Sequence, residues 1–148
     1  WVRPIAALGA GLLGDRILSS RTTSLGFVVV AVGYLAPVVL EIDSLALSVF
    51  LLNVFVTAAA AYGLRGVYFA LLEEGAIPAV TTGTAVGIIS VLGYSPDVFF
   101  SPLAGWILDT HTGPEGYRIF CLVMVGFAAA GLLASIAFTR RTRAAMRP

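Results

Sequence analysis

Trp1 to Arg21, WVRPIAALGAGLLGDRILSSR, is the stretch that decides the fold. Apolar and small residues run from Ile5 to Leu13, Gly14-Asp15-Arg16 then brings charge abruptly, and Arg21 follows before a long apolar run opens at Leu25. The stretch reads as the end of one membrane helix, a tight charged turn and the start of the next. Gly9, Gly11 and Gly14 remove side-chain bulk where two helices are expected to approach closely.

Composition agrees. Of 148 residues, 59% are hydrophobic and only 11% charged, and the mean hydropathy is +0.97. Soluble domains carry about 25% charged residues, so this chain cannot cover a water-facing surface, and it reads as a polytopic membrane protein. A net charge of +1 gives no case for nucleic-acid binding. The nine basic residues are all Arg, which fits a GC-rich bacterial source. Cys121 and His111 are each alone, so neither a disulfide framework nor a metal site is expected. No initiator Met or signal peptide is present, and Trp1 falls within a helical pattern already under way. The chain therefore reads as a C-terminal fragment.

A spanning helix needs about 20 apolar residues. Four runs qualify, at about 24–42, 45–72, 79–108 and 119–138, and a partial helix at about 1–14 precedes them. The expectation is an all-α transmembrane bundle of five helices, joined by short connections and followed by a tail at 139–148. Arg16, Arg21, Arg140, Arg141, Arg143 and Arg147 fall on one side of these spans. Arg118 falls on the other, beside Glu41, Asp43, Asp109 and Glu115. The positive-inside rule places the first group, with the C-terminus, in the cytoplasm. The tail TRRTRAAMRP reads first as a stop-transfer flank, with contact to anionic headgroups as a second reading. The Glu73-Glu74 loop lies on the same side without a positive charge of its own, and so calls for a partner.

The pattern G-x-x-x-D-R at Gly11 to Arg16, followed shortly by Arg21, resembles the signature loop of the major facilitator superfamily of secondary transporters. Complete members have twelve helices in two halves of six, with this loop after the second helix of each half. The resemblance identifies the present helices with the eighth to twelfth. Leu18-Ser19-Ser20 stand where the family usually has Gly-Arg-Arg/Lys. In such transporters the charges of the loop latch to a neighbouring helix and stabilise one gate state. Carried over, this makes Gly11, Asp15, Arg16 and Arg21 gate residues, with Glu73 or Glu74 as the acidic partner. The plainer reading is a solvated turn whose Arg residues set topology alone, since an exposed ion pair is worth about 0–1 kcal/mol.

Three ionisable residues lie inside apolar runs, where a charge costs at least about 2.5–3.5 kcal/mol and so faces a cavity or a partner. Arg3 lies twelve residues before Asp15, about 18 Å along a helix, near mid-membrane. It is the leading candidate for binding a carboxylate or phosphate. Arg3-Pro4 is similar to an arrangement in anion-carrying members of the family, including nitrate transporters, although its spacing to the loop is longer here. An equal reading has Arg3 held by an acidic residue in an absent N-terminal half of the same chain. Arg65 lies about 10 Å from the inner boundary. Tyr62, Arg65, Phe69 and Glu73 share a helical face, which either lines an inner vestibule or leaves Arg65 snorkelling or bound to Asp15.

The run 79–108 is amphipathic in a way that lipid alone does not explain. Gly83, Gly87, Ser90, Gly93, Tyr94, Asp97 and Ser101 share one side, and Ile88, Leu92, Phe99 and Leu103 the other. Gly83-x-x-x-Gly87 offers a close helix contact. Pro96 removes a backbone donor and predicts a bend, a feature of transporter binding sites. Beside it, Asp97 is a candidate for proton coupling and Tyr94 for substrate binding. The structural reading is a packing carboxyl bonded to Tyr94 or Ser101. In the final helix Gly126, Ala130 and Ala134 form a small-residue seam.

Nowhere does the chain show a nucleotide loop, paired metal ligands or a Ser/His/Asp set, so no catalytic residue and no cofactor are expected. The leading expectation is a bacterial inner-membrane secondary transporter for a small solute, an organic anion, working by alternating access, with symport coupled through Asp97 as a second reading. The alternative is a non-transporting membrane scaffold or assembly factor whose charges pair only with one another.

Overall fold

The computed structural model describes the backbone of residues 2–40, 47–67, 69–75 and 77–145, and their side chains except those at 2, 3, 13, 15, 17, 79, 143 and 145. Six helices follow in order: α1 (Val2–Ile17), α2 (Ser19–Val39), α3 (Leu47–Val67), α4 (Ala70–Glu74), α5 (Ala79–Thr110) and α6 (Pro114–Ala145). Helices are what a chain this apolar must form, because lipid offers no partner to a free backbone N–H or C=O. Four of them, α2, α3, α5 and α6, are long and apolar enough to cross a membrane. The protein is an all-α, polytopic membrane helix bundle.

The helix ends differ from the hydropathy spans in informative ways. Helix α2 starts at Ser19, five residues before the apolar run, because Arg21 and Thr22 donate backbone N–H groups to the Leu18 carbonyl at 3.1 Å each. Thr22 and Thr23 return their hydroxyls to the carbonyls of Leu18 and Ser19, so the polar turn helps to wind the helix. The run at 45–72 divides, with α3 ending at Val67 and the single turn of α4 resuming at Ala70. One continuous face from Tyr62 to Glu73 is therefore broken. Helix α6 continues to Ala145, so most of the expected tail is helical.

Packing centres on α2. Its strongest neighbour is α6, then α3, and α1 lies against α3. Small residues set these approaches. A Cβ on Gly131 would lie 2.3 Å from the Phe27 ring, and one on Gly66 would lie 2.9 Å from the Ala7 carbonyl oxygen. In lipid, where apolar surface is already solvated by apolar chains, such close backbone contact supplies much of the association energy.

Several small-residue expectations need correction. The face that α6 turns inward carries Ala128, Gly131 and Ser135, whereas Gly126, Ala130 and Ala134 are exposed. Gly83 and Gly87 of α5 have no heavy atom within 4 Å of an added Cβ, and Gly9 and Gly11 likewise face open space. The close approach of α1 is made by Ala7 and Ala10 against Gly66 and Gly63. Small residues permit contact, but the partner surface selects which of them are used.

Helix α5 stands apart. It packs on α6 through edge-on rings of Phe100 and Phe127, 4.9 Å between centroids, and Ile107 near its end is buried. Most of its length is uncovered, including Gly83, Gly87, Gly93, Tyr94, Asp97 and Ser101 on the polar stripe. The helix persists through Pro96 and Pro102. Pro96 cannot donate to the Leu92 carbonyl, and the Ser95 hydroxyl takes that acceptor instead at 2.9 Å.

Candidate functional site

Among the described residues one ion pair joins two helices: the Arg65 guanidinium of α3 donates from Nη2 to the Asp97 carboxylate of α5. The Tyr94 ring, one turn before Asp97, lies under the same guanidinium, 5.8 Å from Cζ to the ring centroid. A cation at this distance from an aromatic face is attracted by the ring quadrupole, so Tyr94 and Asp97 hold Arg65 from two directions. The group sits within membrane-length helices, and Asp97 falls near the middle of α5. Both charges remain accessible, with side chains 35% exposed for Arg65 and 53% for Asp97.

Three of the sequence candidates therefore converge: Arg65, Tyr94 and Asp97. The partner of Asp97 is Arg65, 32 positions away, and not Tyr94 or Ser101 as the structural reading of the sequence had it. Arg65 correspondingly holds Asp97. Chemically the group is a guanidinium fork with one acceptor in place, on a polar helix face that the chain leaves open. A second carboxylate or phosphate competes for the same donors. Arg3 lies on α1, but its side chain is outside the described residues.

A second polar cluster forms at the other end of the molecule from the α5–α6 turn. Leu18 alone separates α1 from α2, with φ 121° and ψ 131°. That conformation is one a side chain resists and glycine accepts. It aims the first N–H groups of α2 at α4. The Ser20 N–H donates to Glu74 Oε2 at 2.8 Å, and the Ser20 hydroxyl donates to Glu74 Oε1. Ser20 is 0% exposed. Its carbonyl accepts from the hydroxyls of Ser24 at 3.0 Å and Ser135 at 3.2 Å, and those two hydroxyls lie 2.8 Å apart. A carboxylate thus fills the positive end of α2, and a chain of hydroxyls carries the contact on to α6.

This partly corrects the expected latch. Glu74 does meet the junction of α1 and α2, but through Ser20 at the N-terminus of α2 and, among the described residues, not through Arg16 or Arg21. Among the described residues neither Arg lies in ion-pair contact with Glu73 or Glu74. Arg16, Glu73 and Glu74 do line a common open cleft of about 410 Å³ with Gly14, Leu18 and Ser19. The Asp15 side chain is outside the described residues. Ser20, Ser24 and Ser135 were missed as a group. The available signal was three hydroxyls bordering or interrupting otherwise apolar runs, but nothing in the spacing joins positions 111 apart.

Comparison with known proteins supports membrane residence. The chain is 29% identical over 133 residues to the inner membrane protein YihN of Escherichia coli (strain K12), covering 88% of this chain and 32% of that protein. It is 44% identical over 78 residues to the inner membrane protein YqcE of the same organism, covering 53% of this chain and 17% of that protein. The chain thus spans about a third or less of the length of these relatives. No family model matches it, and no solved structure does. With four membrane-length apolar helices and similarity to two inner membrane proteins, the chain is an integral membrane protein.

Proposed function

We propose that the chain is part of a secondary transporter of the major facilitator type, residing in a bacterial inner membrane with its C-terminus in the cytoplasm and carrying a small organic anion. The observation that carries this reading is the accessible Arg65–Asp97 pair with Tyr94, on the open polar face of α5. A charged pair is costly against lipid, so such a face belongs to a water-filled cavity or to another part of the protein. An anion entering the cavity takes the Arg65 donors from Asp97, and a proton on Asp97 releases the same donors. Binding and proton uptake thereby act on one contact, which makes the carrier a symporter. Arg3 is assigned to the same anion path. The solute is moved and not chemically changed, so no catalytic role is assigned.

The conformation of Leu18 supports the family resemblance. It stands where the family usually has Gly, and its backbone keeps a shape that glycine favours. Glu74 on the N-terminus of α2 supports a gate at the signature loop, with Arg16, Arg21 and Asp15 around it.

The scaffold reading has one observation in its favour: Arg65 and Asp97 already satisfy one another. The polarity of the α5 stripe favours a cavity, and the same stripe packed dry against the rest of the protein would favour the scaffold. The test is uptake by the full-length protein in proteoliposomes, screening small organic anions with and without a pH gradient, against Arg65→Ala, Asp97→Asn and Arg3→Ala. Transport reads as anion uptake lost in Arg65→Ala, with its gradient dependence lost in Asp97→Asn. Absence of uptake for every anion in correctly inserted protein would favour the scaffold.

A further inference from the structure

We infer that the anion taken at Arg65 is a polyhydroxylated monocarboxylate of the sugar-acid type, with Ser90 and Ser101 reading its hydroxyl groups. This rests on the anion-carrier reading above and specifies its solute. Ser90, Tyr94, Asp97 and Ser101 follow one another on α5 at spacings of four, three and four residues. At about 100° per residue they fall within about 60° of arc, on the side where Tyr94 and Asp97 hold Arg65. Ser90 comes one turn before Tyr94 and Ser101 one turn after Asp97, each about 6 Å along the axis. Ser101 is exposed and Ser90 partly so.

Both serine hydroxyls are uncommitted. A helical Ser or Thr commonly turns its hydroxyl back to a carbonyl of the preceding turn. On α5 the hydroxyls of Thr81, Thr82, Ser95 and Thr110 do so, whereas those of Ser90 and Ser101 bond to none of the described residues. A hydroxyl both donates and accepts, which complements an alcohol group on a solute. The Arg65–Asp97 pair sets the charge. Its guanidinium takes one carboxylate, and the Asp97 carboxylate beside it repels a second. Roughly four to five carbon–carbon bonds span this distance of about 6 Å. A carboxylate at Arg65 therefore brings the far hydroxyls of an acid of about five or six carbons level with either serine.

The test is isothermal titration calorimetry of the full-length protein in phosphatidylcholine nanodiscs with gluconate, hexanoate and glucitol. On chains of equal length these supply charge with hydroxyls, charge alone and hydroxyls alone. Gluconate is expected to bind about tenfold tighter than hexanoate, and Ser90→Ala and Ser101→Ala each narrow that ratio about threefold. Thr84→Ala, about 140° around α5 from Asp97, leaves it unchanged. Equal affinity for gluconate and hexanoate, or an undiminished ratio in the double serine variant, overturns the sugar-acid assignment and leaves the anion reading standing. Glucitol binding as tightly as gluconate, or binding of neither carboxylate by correctly inserted protein, removes the anion reading and this inference with it.

Discussion

Replacing Glu74 by Ala tests the contact that ties α4 to the start of α2. Ser20 is fully buried and its N–H has Glu74 Oε2 as acceptor at 2.8 Å. Removing that acceptor leaves a buried backbone donor unpaired, at a cost of about 1–3 kcal/mol. Loss of the negative charge at the helix N-terminus adds about 0.3–1 kcal/mol. The Ser20 hydroxyl can turn to another acceptor and is left out. The expected loss for Glu74→Ala is therefore about 1.3–4 kcal/mol. Glu74→Gln keeps an oxygen for the Ser20 N–H and loses mainly the charge term. Glu73→Ala is the control, because Glu73 is exposed and a surface change of this kind stays within about 0.5 kcal/mol. The assay is reversible unfolding by denaturant in mixed micelles, with Ser20→Ala closing a double-mutant cycle. A Glu74→Ala loss no larger than that of Glu73→Ala would refute the reasoning, as would a Ser20→Ala background, which spares the N–H, in which Glu74→Ala costs nothing.

Three further outcomes are expected from the same unfolding assay or from expression. Leu18→Gly stabilises by about 0.5–2 kcal/mol, the relief of about 1–3 kcal/mol of backbone strain less the chain entropy of glycine; a loss of stability would show that the Leu18 side chain matters more than its φ of 121°. Gly131→Ala destabilises by about 1–3 kcal/mol by driving a methyl into Phe27, while Gly126→Ala, which meets open space, is neutral; equal effects would place the α2–α6 seam elsewhere. Arg65→Ala and Asp97→Ala each leave one unpaired charge within the spans and lower the yield of folded protein. The double variant recovers part of that loss, and a double variant worse than the sum of the two would contradict their pairing.

The first 21 residues were enough to anticipate two helices joined by a tight connection, which the structure has, but the charged Gly14-Asp15-Arg16 lies within α1 and not in the turn. The same residues did not reveal that Leu18 alone makes the turn, because φ is imposed by where the two helices pack. Residue type brought Arg65, Tyr94 and Asp97 forward separately, since charge and aromatic polarity inside an apolar run are conspicuous. Their convergence was not legible, because it depends on α3 meeting α5 across 32 positions of chain. Glu74 stood out as an acid without a basic neighbour. Its partner proved to be a backbone N–H 54 positions away, a donor that every residue but proline carries and that no letter of the sequence marks.

Hydropathy by itself determined that this chain is an all-α membrane protein, because a bilayer leaves an apolar chain few other ways to satisfy its backbone. It did not determine which side of each helix packs. On α6 both the series Gly126, Ala130, Ala134 and the series Ala128, Gly131, Ser135 are small and regularly spaced, yet only the second meets α2. In water, burial of apolar surface would mark the inner face. In lipid both faces are apolar, that signal is lost, and the choice falls to close fit against Phe27 and to the hydroxyl of Ser135 finding Ser20 and Ser24.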